Sequence, residues 1–423
     1  MMKEQAVIIL DCGATNIRAI AVNRKGRILR SGSFPNHTAS DPLFKGGLVW
    51  DVRFILEKLA EAGREVCAGL TNTEIIGVCT TSFGVDGAPF DKDGNQLYPV
   101  ISWACERTKD IVDEVHDIFP LSELHRITGL NHFHFNTLYK LYWLKKNLAE
   151  VFNKTDHWLF MPAIISGFLC QALYTDVSMA GTSMLCDRST RRFSKDILAA
   201  FDLKADLFPP LKEAGQMLGR VTKDASAKTG IPAGVPVFAA GHDTQFAIFG
   251  SGAGVNEPVL SSGTWEILMV RTPVVDGGKE ALIAGITTEL DAVPGLYNPG
   301  LQWLASRFIE EFRKEHFADV MLRPDVYDMM IGEAEKAESS RGRKFYELLE
   351  DLSEKTKSSL HLLEKSCGFR AENLIVVGGG SKNRLWNKLR ADALGIEIKT
   401  IPQSETTVLG AAKFAFAGAD RLS

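Results

Sequence analysis

The chain alternates between short apolar runs of strand length and longer stretches whose apolar residues recur every three or four positions. The first run, Ala6 to Leu10, ends on Asp11 and Gly13 and reads as a strand. Two further runs flank Asn23-Arg24-Lys25-Gly26, a turn between paired strands. From Val52 to Leu70, Ile55, Leu56, Leu59 and Ala62 fall at helical spacing and predict a helix. The segment from Glu74 reads as a strand leading into a glycine-rich turn, with a second hairpin around Asp93-Gly94-Asn95. The middle of the chain, to about Thr229, is mostly amphipathic helix with loops. Gly230 to Pro236 then has the turn chemistry of a boundary, dividing 1–233 from 234–423.

The two halves repeat one plan. VIILDCGATNIRAIAV and PVLSSGTWEILMVRT both run apolar strand, small-residue turn with Gly and Thr, apolar strand. IIGVCTTSFGVDG and LIVVGGGSKN are both buried strands ending in glycine-rich turns. Two matched pairs in the same order predict two related lobes facing each other across a cleft. With 423 residues, two domains are also the default expectation.

Composition narrows the function classes. Hydrophobic content of 45% and charged content of 24% are those of a globular domain, and a net charge of −4 leaves no footprint for nucleic acid or an anionic membrane. No apolar stretch approaches the length of a membrane span, and the N-terminus passes into a strand without a signal-peptide core, so a cytoplasmic location is expected. Seven scattered cysteines form no CxxC pair and read as thiols in a reducing compartment. The stretch Asn131-His132-Phe133-His134-Phe135-Asn136 brings two histidines to one strand face, but with no third ligand nearby they read as structural or cleft-lining.

Five segments carry candidate chemistry. Asp11-Cys12-Gly13-Ala14-Thr15-Asn16 offers a carboxylate for Mg²⁺, backbone amides for phosphate, and a hydroxyl and an amide at the tip. A hairpin with a polar tip is the plain alternative. Ser261-Ser262-Gly263-Thr264-Trp265-Glu266 is the matching turn of the second half. Gly378-Gly379-Gly380-Ser381-Lys382-Asn383 follows a buried strand and precedes a helix; Ser381 or Asn383 can cap that helix, and three glycines point to the close approach of another group. In Gly241-His242-Asp243-Thr244-Gln245, Asp243 is either a helix cap or the carboxylate that takes a proton from an alcohol during phosphoryl transfer. In Gly84-Val85-Asp86-Gly87, Asp86 is either a hairpin aspartate or an acceptor for sugar hydroxyls, and Trp103 is a core residue or an apolar wall beside the sugar.

With these segments in this order, the chain resembles the FGGY family of carbohydrate kinases over nearly its whole length, most specifically in AGHDTQFAIFGSGAGVNEPVLSSGTWEILMVR. The resemblance implies an α/β protein of two actin-like, ribonuclease-H-like lobes, with ATP and sugar bound in the cleft between them. It implies Asp243 as catalytic base and Asp11 near Mg²⁺. Gly13, Thr15, Asn16, Ser262, Gly263 and Thr264 would meet phosphates, while Gly378, Gly379, Gly380 and Asn383 would form the adenosine pocket. Gly84, Asp86, Trp103, His242, Thr244 and Asn298 would contact a ketose. The expected reaction is ATP-dependent conversion of L-fuculose to L-fuculose 1-phosphate, with L-rhamnulose and D-xylulose as alternative acceptors. A non-catalytic sugar sensor is the alternative of another class, and a homodimer is left open. The charged segment before Arg341 is shorter than in similar sequences, and the chain ends at Ser423 without the tail expected of relatives.

Overall fold

Residues Ala6 to Cys12 are all buried, which is the requirement on a central strand covered on both faces. In the computed structural model, which describes residues 3–263, 265–274, 278–323, 325–401 and 405–422, they belong to strand β1 (Glu4–Cys12). The chain forms two units by its contacts: 1–250 with 289–295 and 405–423, and 251–288 with 296–404.

The first unit is built on β1, β2 (Asn16–Asn23), β3 (Ile28–Pro35), β4 (Thr73–Ser82), β5 (Met217–Arg220) and β6 (Pro236–Phe238), in the order β5-β6-β4-β1-β2-β3. β1, β2 and β3 form an antiparallel meander, whereas β4 runs parallel to β1 and β6 parallel to β4. Successive side chains of β1 point to opposite faces. Ile8 and Leu10 pack with Ile55, Leu59, Ala62 and Val66 of the helix Val52–Ala68. Val7 and Ile9 pack with Val408, Ala411 and Ala415 of the helix Thr406–Asp420. The predicted helix from Val52 therefore forms, with Asp51 accepting the Phe54 N–H at 3.1 Å as its cap. The predicted β2–β3 turn closes at Gly26, whose φ of +74° suits glycine. A second, mainly helical core gathers around Tyr98, Tyr139, Trp158 and Phe208.

The second unit has its own six-stranded sheet: β7 (Pro258–Ser262), β8 (Glu266–Val270), β9 (Thr287–Leu290), β10 (Tyr297–Trp303), β11 (Asn373–Val377) and β12 (Glu397–Thr400), ordered β9-β10-β8-β7-β11-β12. β7 and β8 are antiparallel, as are β8 and β10, and β11 lies parallel to β7 with β12 parallel to β11. Leu360 and Leu363 of the long helix Ser340–Cys367 cover Leu260, Leu374 and Val376. The charged segment before Arg341 folds as the helices Ala305–His316 and Val326–Lys336, whose apolar sides join Phe345 and Trp386 in a separate core.

Both sequence rhymes are thus repeats of connectivity: β1–β2 matches β7–β8, and β4 matches β11 as the parallel neighbour of the first strand. The expected boundary at 233/234 differs from the observed division. The Gly230–Pro236 turn leads into β6, which pairs with β4, so 234–250 packs in the first unit. The C-terminal helix returns to the first unit as well, because its apolar face is the cover over Val7 and Ile9. Among the described residues no helix is long and apolar enough to cross a membrane.

Candidate active site

In the first sheet the neighbouring parallel strands β6, β4 and β1 carry polar groups at their carboxyl ends, the edge where open α/β sheets place ligands. β1 ends on Asp11-Cys12 and β4 on Thr81-Ser82. After β6 the chain runs through Gly241-His242 into the helix Asp243–Gly250, with the Ser82 N–H donating to the Gly241 carbonyl at 3.1 Å. That helix is fixed by backbone contact with the helix Thr406–Asp420. A Cβ on Gly250 would fall 1.8 Å from the Thr406 carbonyl, and one on Gly410 would fall 2.0 Å from the Phe246 carbonyl.

Asp243 opens this helix with 28% of its side chain exposed. Its Oδ1 accepts the Thr244 N–H at 2.7 Å and the Thr244 hydroxyl at 3.3 Å. Burial raises its pKa to about 6, with the His242 charge opposing the rise and the Asp11 charge adding to it. The turn before it leaves no room for a side chain, since a Cβ on Gly241 would lie 2.0 Å from Oδ1 of buried Asp176. Asp176 accepts from Ser178, whose hydroxyl oxygen accepts the His242 N–H at 2.9 Å. His242 Nε2 lies 3.5 Å from Asp243 Oδ1, and Nδ1 lies 2.9 Å from Glu289 Oε2, close but off the line of a full hydrogen bond. Burial lowers the proton affinity of His242, yet Glu289 and Asp243 outweigh it and the net shift is upward.

Asp11 is buried and its oxygens are engaged. Oδ2 accepts from Arg18 Nε at 3.0 Å and Nη2 at 2.5 Å, and Oδ1 accepts the Thr81 hydroxyl at 2.7 Å. Arg18 faces Asp11 across the β1–β2 ladder and also reaches Glu405 at 2.5 Å. At the tip, the Gly13 N–H donates to the Asn16 carbonyl at 2.9 Å, while the Thr15 and Asn16 side chains are exposed. Burial pushes the pKa of the Cys12 thiol up, and the charges of Asp11, Asp243 and Asp86 add to the rise.

Asp86 is fully buried. It accepts the Trp50 indole N–H at 2.6 Å and the Trp103 backbone N–H at 3.0 Å, and pairs with the Lys140 ammonium. The turn that delivers it closes from the Asp86 N–H to the Gly84 carbonyl at 2.8 Å around Val85, whose φ is +62°. A β-branched residue there is strained. Thr182 holds the Val85 N–H at 3.0 Å and Thr137 its carbonyl at 2.8 Å. Gly84 is required because a Cβ would lie 2.9 Å from His242 Nε2. Trp103 is half-buried and stands edge-on to Phe135 at 6.3 Å. His134 contacts Thr108 at 3.2 Å and His132 lies against His116.

The second unit's turn is arranged differently. Ser262 is buried and donates to Glu266, which pairs with Arg390 at 2.8 Å, and both charged side chains are wholly enclosed. The Gly263 N–H donates to the Trp265 carbonyl at 3.0 Å, and Thr264 lies outside the described residues. The glycine run has an internal cause at two of its positions. Gly378 has φ +83° with a Cβ position 2.6 Å from the Ser262 carbonyl, and a Cβ on Gly380 would meet Ser262 Oγ at 1.9 Å; only Gly379 faces open space. Three glycines therefore do not by themselves imply an external ligand. Asn383 caps the helix Arg384–Leu394 by accepting the Trp386 N–H at 3.0 Å. Asn298 is fully buried in β10 of this unit.

The structure thus brings Asp11, Gly84, Asp86, His242, Asp243 and Thr244 together in the first unit, and Ser262, Gly378, Gly379 and Gly380 in the second. Sequence reasoning missed Arg18, Lys140, Glu289 and Arg390. Arg18 had a legible signal, because the β1–β2 register sets it opposite Asp11. The other three reach their partners across long sequence separations and carry no local signature.

Two family models match the chain: the FGGY family of carbohydrate kinases, N-terminal domain, over residues 6–250, and its C-terminal domain over residues 320–419. The chain is 43% identical to L-fuculokinase of Escherichia coli (strain K12), covering 99% of this chain and 93% of that protein. It is 40% identical to L-fuculokinase of Haemophilus influenzae, over 97% of this chain and 94% of that protein. The crystal structure of xylulose kinase from Rhodospirillum rubrum superposes with a TM-score of 0.89 at 19% identity, over 98% of this chain and 90% of that one, which shows the shared two-lobed, actin-like fold. The chain belongs to the FGGY family of carbohydrate kinases.

Proposed function

We propose that the chain transfers the γ-phosphoryl group of ATP to the C1 hydroxyl of L-fuculose, with Asp243 accepting the hydroxyl proton. The sugar oxygen forms the new P–O bond as the bond to ADP breaks, and the released proton passes to the carboxylate. The observation that carries this reading is the setting of Asp243. It is a partly exposed carboxylate whose pKa is raised to about 6, at the carboxyl edge of the parallel strands β6, β4 and β1 and held by its own helix. A base near this value is ionised at neutral pH yet still takes a proton readily. The L-fuculokinase relatives support the choice of sugar.

The remaining residues take narrower roles. Thr15 and Asn16 are exposed at the β1–β2 tip and suit phosphate contacts from the first unit, with Gly13 closing the turn. On the second unit, the exposed Gly263 and the open face at Gly379 suit the nucleotide, while Ser262, Gly378, Gly380 and Asn383 shape that surface. Gly84, Thr244 and Trp103, all of the first unit, suit contacts to the ketose. Asp86 serves it by holding Trp50, Trp103 and Lys140, since its oxygens are already taken. Asp11 has most of its acceptor capacity engaged and fits Mg²⁺ through water, the mode in which that ion is commonly held. When bound, the ion neutralises charge on the phosphate oxygens.

ADP release with ATP·Mg²⁺ and a panel of L-fuculose, L-rhamnulose, D-xylulose, D-ribulose and glycerol tests the proposal. The highest kcat/KM is expected with L-fuculose. A higher value with another ketose would overturn the sugar assignment, and no turnover with any of them would point to a non-catalytic sugar-binding protein.

A further inference from the structure

Glu289 has no part in the reaction as described so far. It stands in β9 and belongs by its contacts to the first unit, although the chain on both sides of 289–295 belongs to the second. Its Oε2 lies 2.9 Å from His242 Nδ1 and accepts from Gln245 Nε2 at 2.6 Å. Gln245 sits on the same helix as Asp243, so the carboxylate is braced against the element it serves. The far side of the imidazole faces Asp243, with Nε2 at 3.5 Å from Oδ1, and Gly84 supplies the space in which that edge lies. The charged groups around His242 are Glu289 from β9, Asp243 from its own helix, and Asp176, which is joined to the His242 backbone through Ser178.

An imidazole can turn about its χ2 bond, and the partner of one ring nitrogen decides where the other points. Here the Nδ1 side has one ionic partner, Glu289, and the Nε2 side has Asp243. We infer that Glu289 is a positioning residue for phosphoryl transfer: it holds the His242 ring so that Nε2 faces Asp243, and His242 in turn fixes the direction of the carboxylate that takes the acceptor proton. The inference rests on Asp243 being the base. A displacement of about 1 Å in a reacting group is enough to cost about 100-fold in rate, so the brace matters to turnover more than to folding.

A double-mutant cycle tests it. Glu289→Gln, His242→Asn and the double variant are assayed for kcat and for KM of L-fuculose and ATP·Mg²⁺, with thermal unfolding measured on each. Glu289→Gln is expected to lower kcat by about tenfold or more with the KM for ATP unchanged. That loss is expected to disappear when His242 is already Asn, because residues acting through one another are not additive. Glu289→Asp, which keeps the charge, is expected to recover part of the rate. Wild-type kcat in Glu289→Gln, or losses that multiply in the double variant, would overturn the inference. Asp243→Asn run alongside separates the two claims. Full turnover in that variant removes the base itself, whereas an inactive Asp243→Asn with a fully active Glu289→Gln removes only the brace.

Discussion

The two units share strand order and hairpin connectivity, yet they use charge at the equivalent turn in opposite ways. In the first, the acid is Asp11 at the end of the first strand, and its partner Arg18 is 25% exposed and also reaches Glu405. In the second, the acid is Glu266 on the returning strand, and its partner Arg390 comes from a helix and is fully enclosed. The Thr15 and Asn16 side chains are exposed at the first tip, where Asn16 donates to the Thr15 hydroxyl at 3.2 Å, whereas the buried Ser262 hydroxyl donates to Glu266. A duplicated scaffold thus leaves the Thr15–Asn16 tip exposed in one unit and, in the other, commits the Ser262 hydroxyl to Glu266 beneath its own glycine loop. Topology decides where the turns are, and a few side chains decide which of them can react.

The largest effect expected from this contrast is on turnover. Asp243→Asn keeps the shape and removes the base, so kcat should fall by about 100- to 10,000-fold with little change in stability, read by ADP release and thermal unfolding. A comparable loss of rate from a change confined to the Glu266–Arg390 pair would blur the division of labour. That pair should instead appear in stability. Arg390→Met leaves a buried carboxylate uncompensated and should destabilise the chain by about 3–5 kcal/mol in urea unfolding, while adding Glu266→Gln should restore much of it. Equal stability of the single and double variants would show that the pair is no lock.

The pH dependence sharpens the first half of the comparison. Asp243 accepts a proton only when ionised, and its pKa is raised to about 6. The kcat/KM for the ketose should therefore be level above that value and fall about tenfold per pH unit below it. A flat profile down to pH 5 would place the limiting proton elsewhere. The smallest effect concerns the glycine loop. Gly378→Ala, at φ +83° and against the Ser262 carbonyl, should cost about 1–3 kcal/mol. Gly379→Ala faces open space, so it should change stability by less than about 0.5 kcal/mol and report any effect through the KM for ATP alone.

Much of the scaffold was legible in advance. Alternating and continuous apolar runs located β1, β2, β4 and the helix from Val52, because burial on known faces has a strand or helix period. The rhyme between VIILDCGATNIRAIAV and PVLSSGTWEILMVRT identified the repeat for the same reason. The boundary was misplaced because a Gly/Pro-rich turn looks alike between units and within one. Only the pairing of β6 with β4 shows which it is. A run of three glycines does not single out a ligand, because a missing Cβ accommodates an internal neighbour as readily as a bound group, and Ser262 is such a neighbour for Gly378 and Gly380.

By itself, then, the sequence determined the strand-and-turn plan, its duplication and the residue types available at each turn, since these follow from local period and backbone freedom. It named Asp243 but left it level with a helix cap. Tertiary structure decided which charges are spent and which are free. Lys140 closes on Asp86, Arg390 on Glu266, and Glu289 on His242 beside Asp243, each across a separation that no local pattern encodes. The physical reason is that a carboxylate's reactivity is set by burial and by the charges around it, and both come from parts of the chain that meet only when it folds.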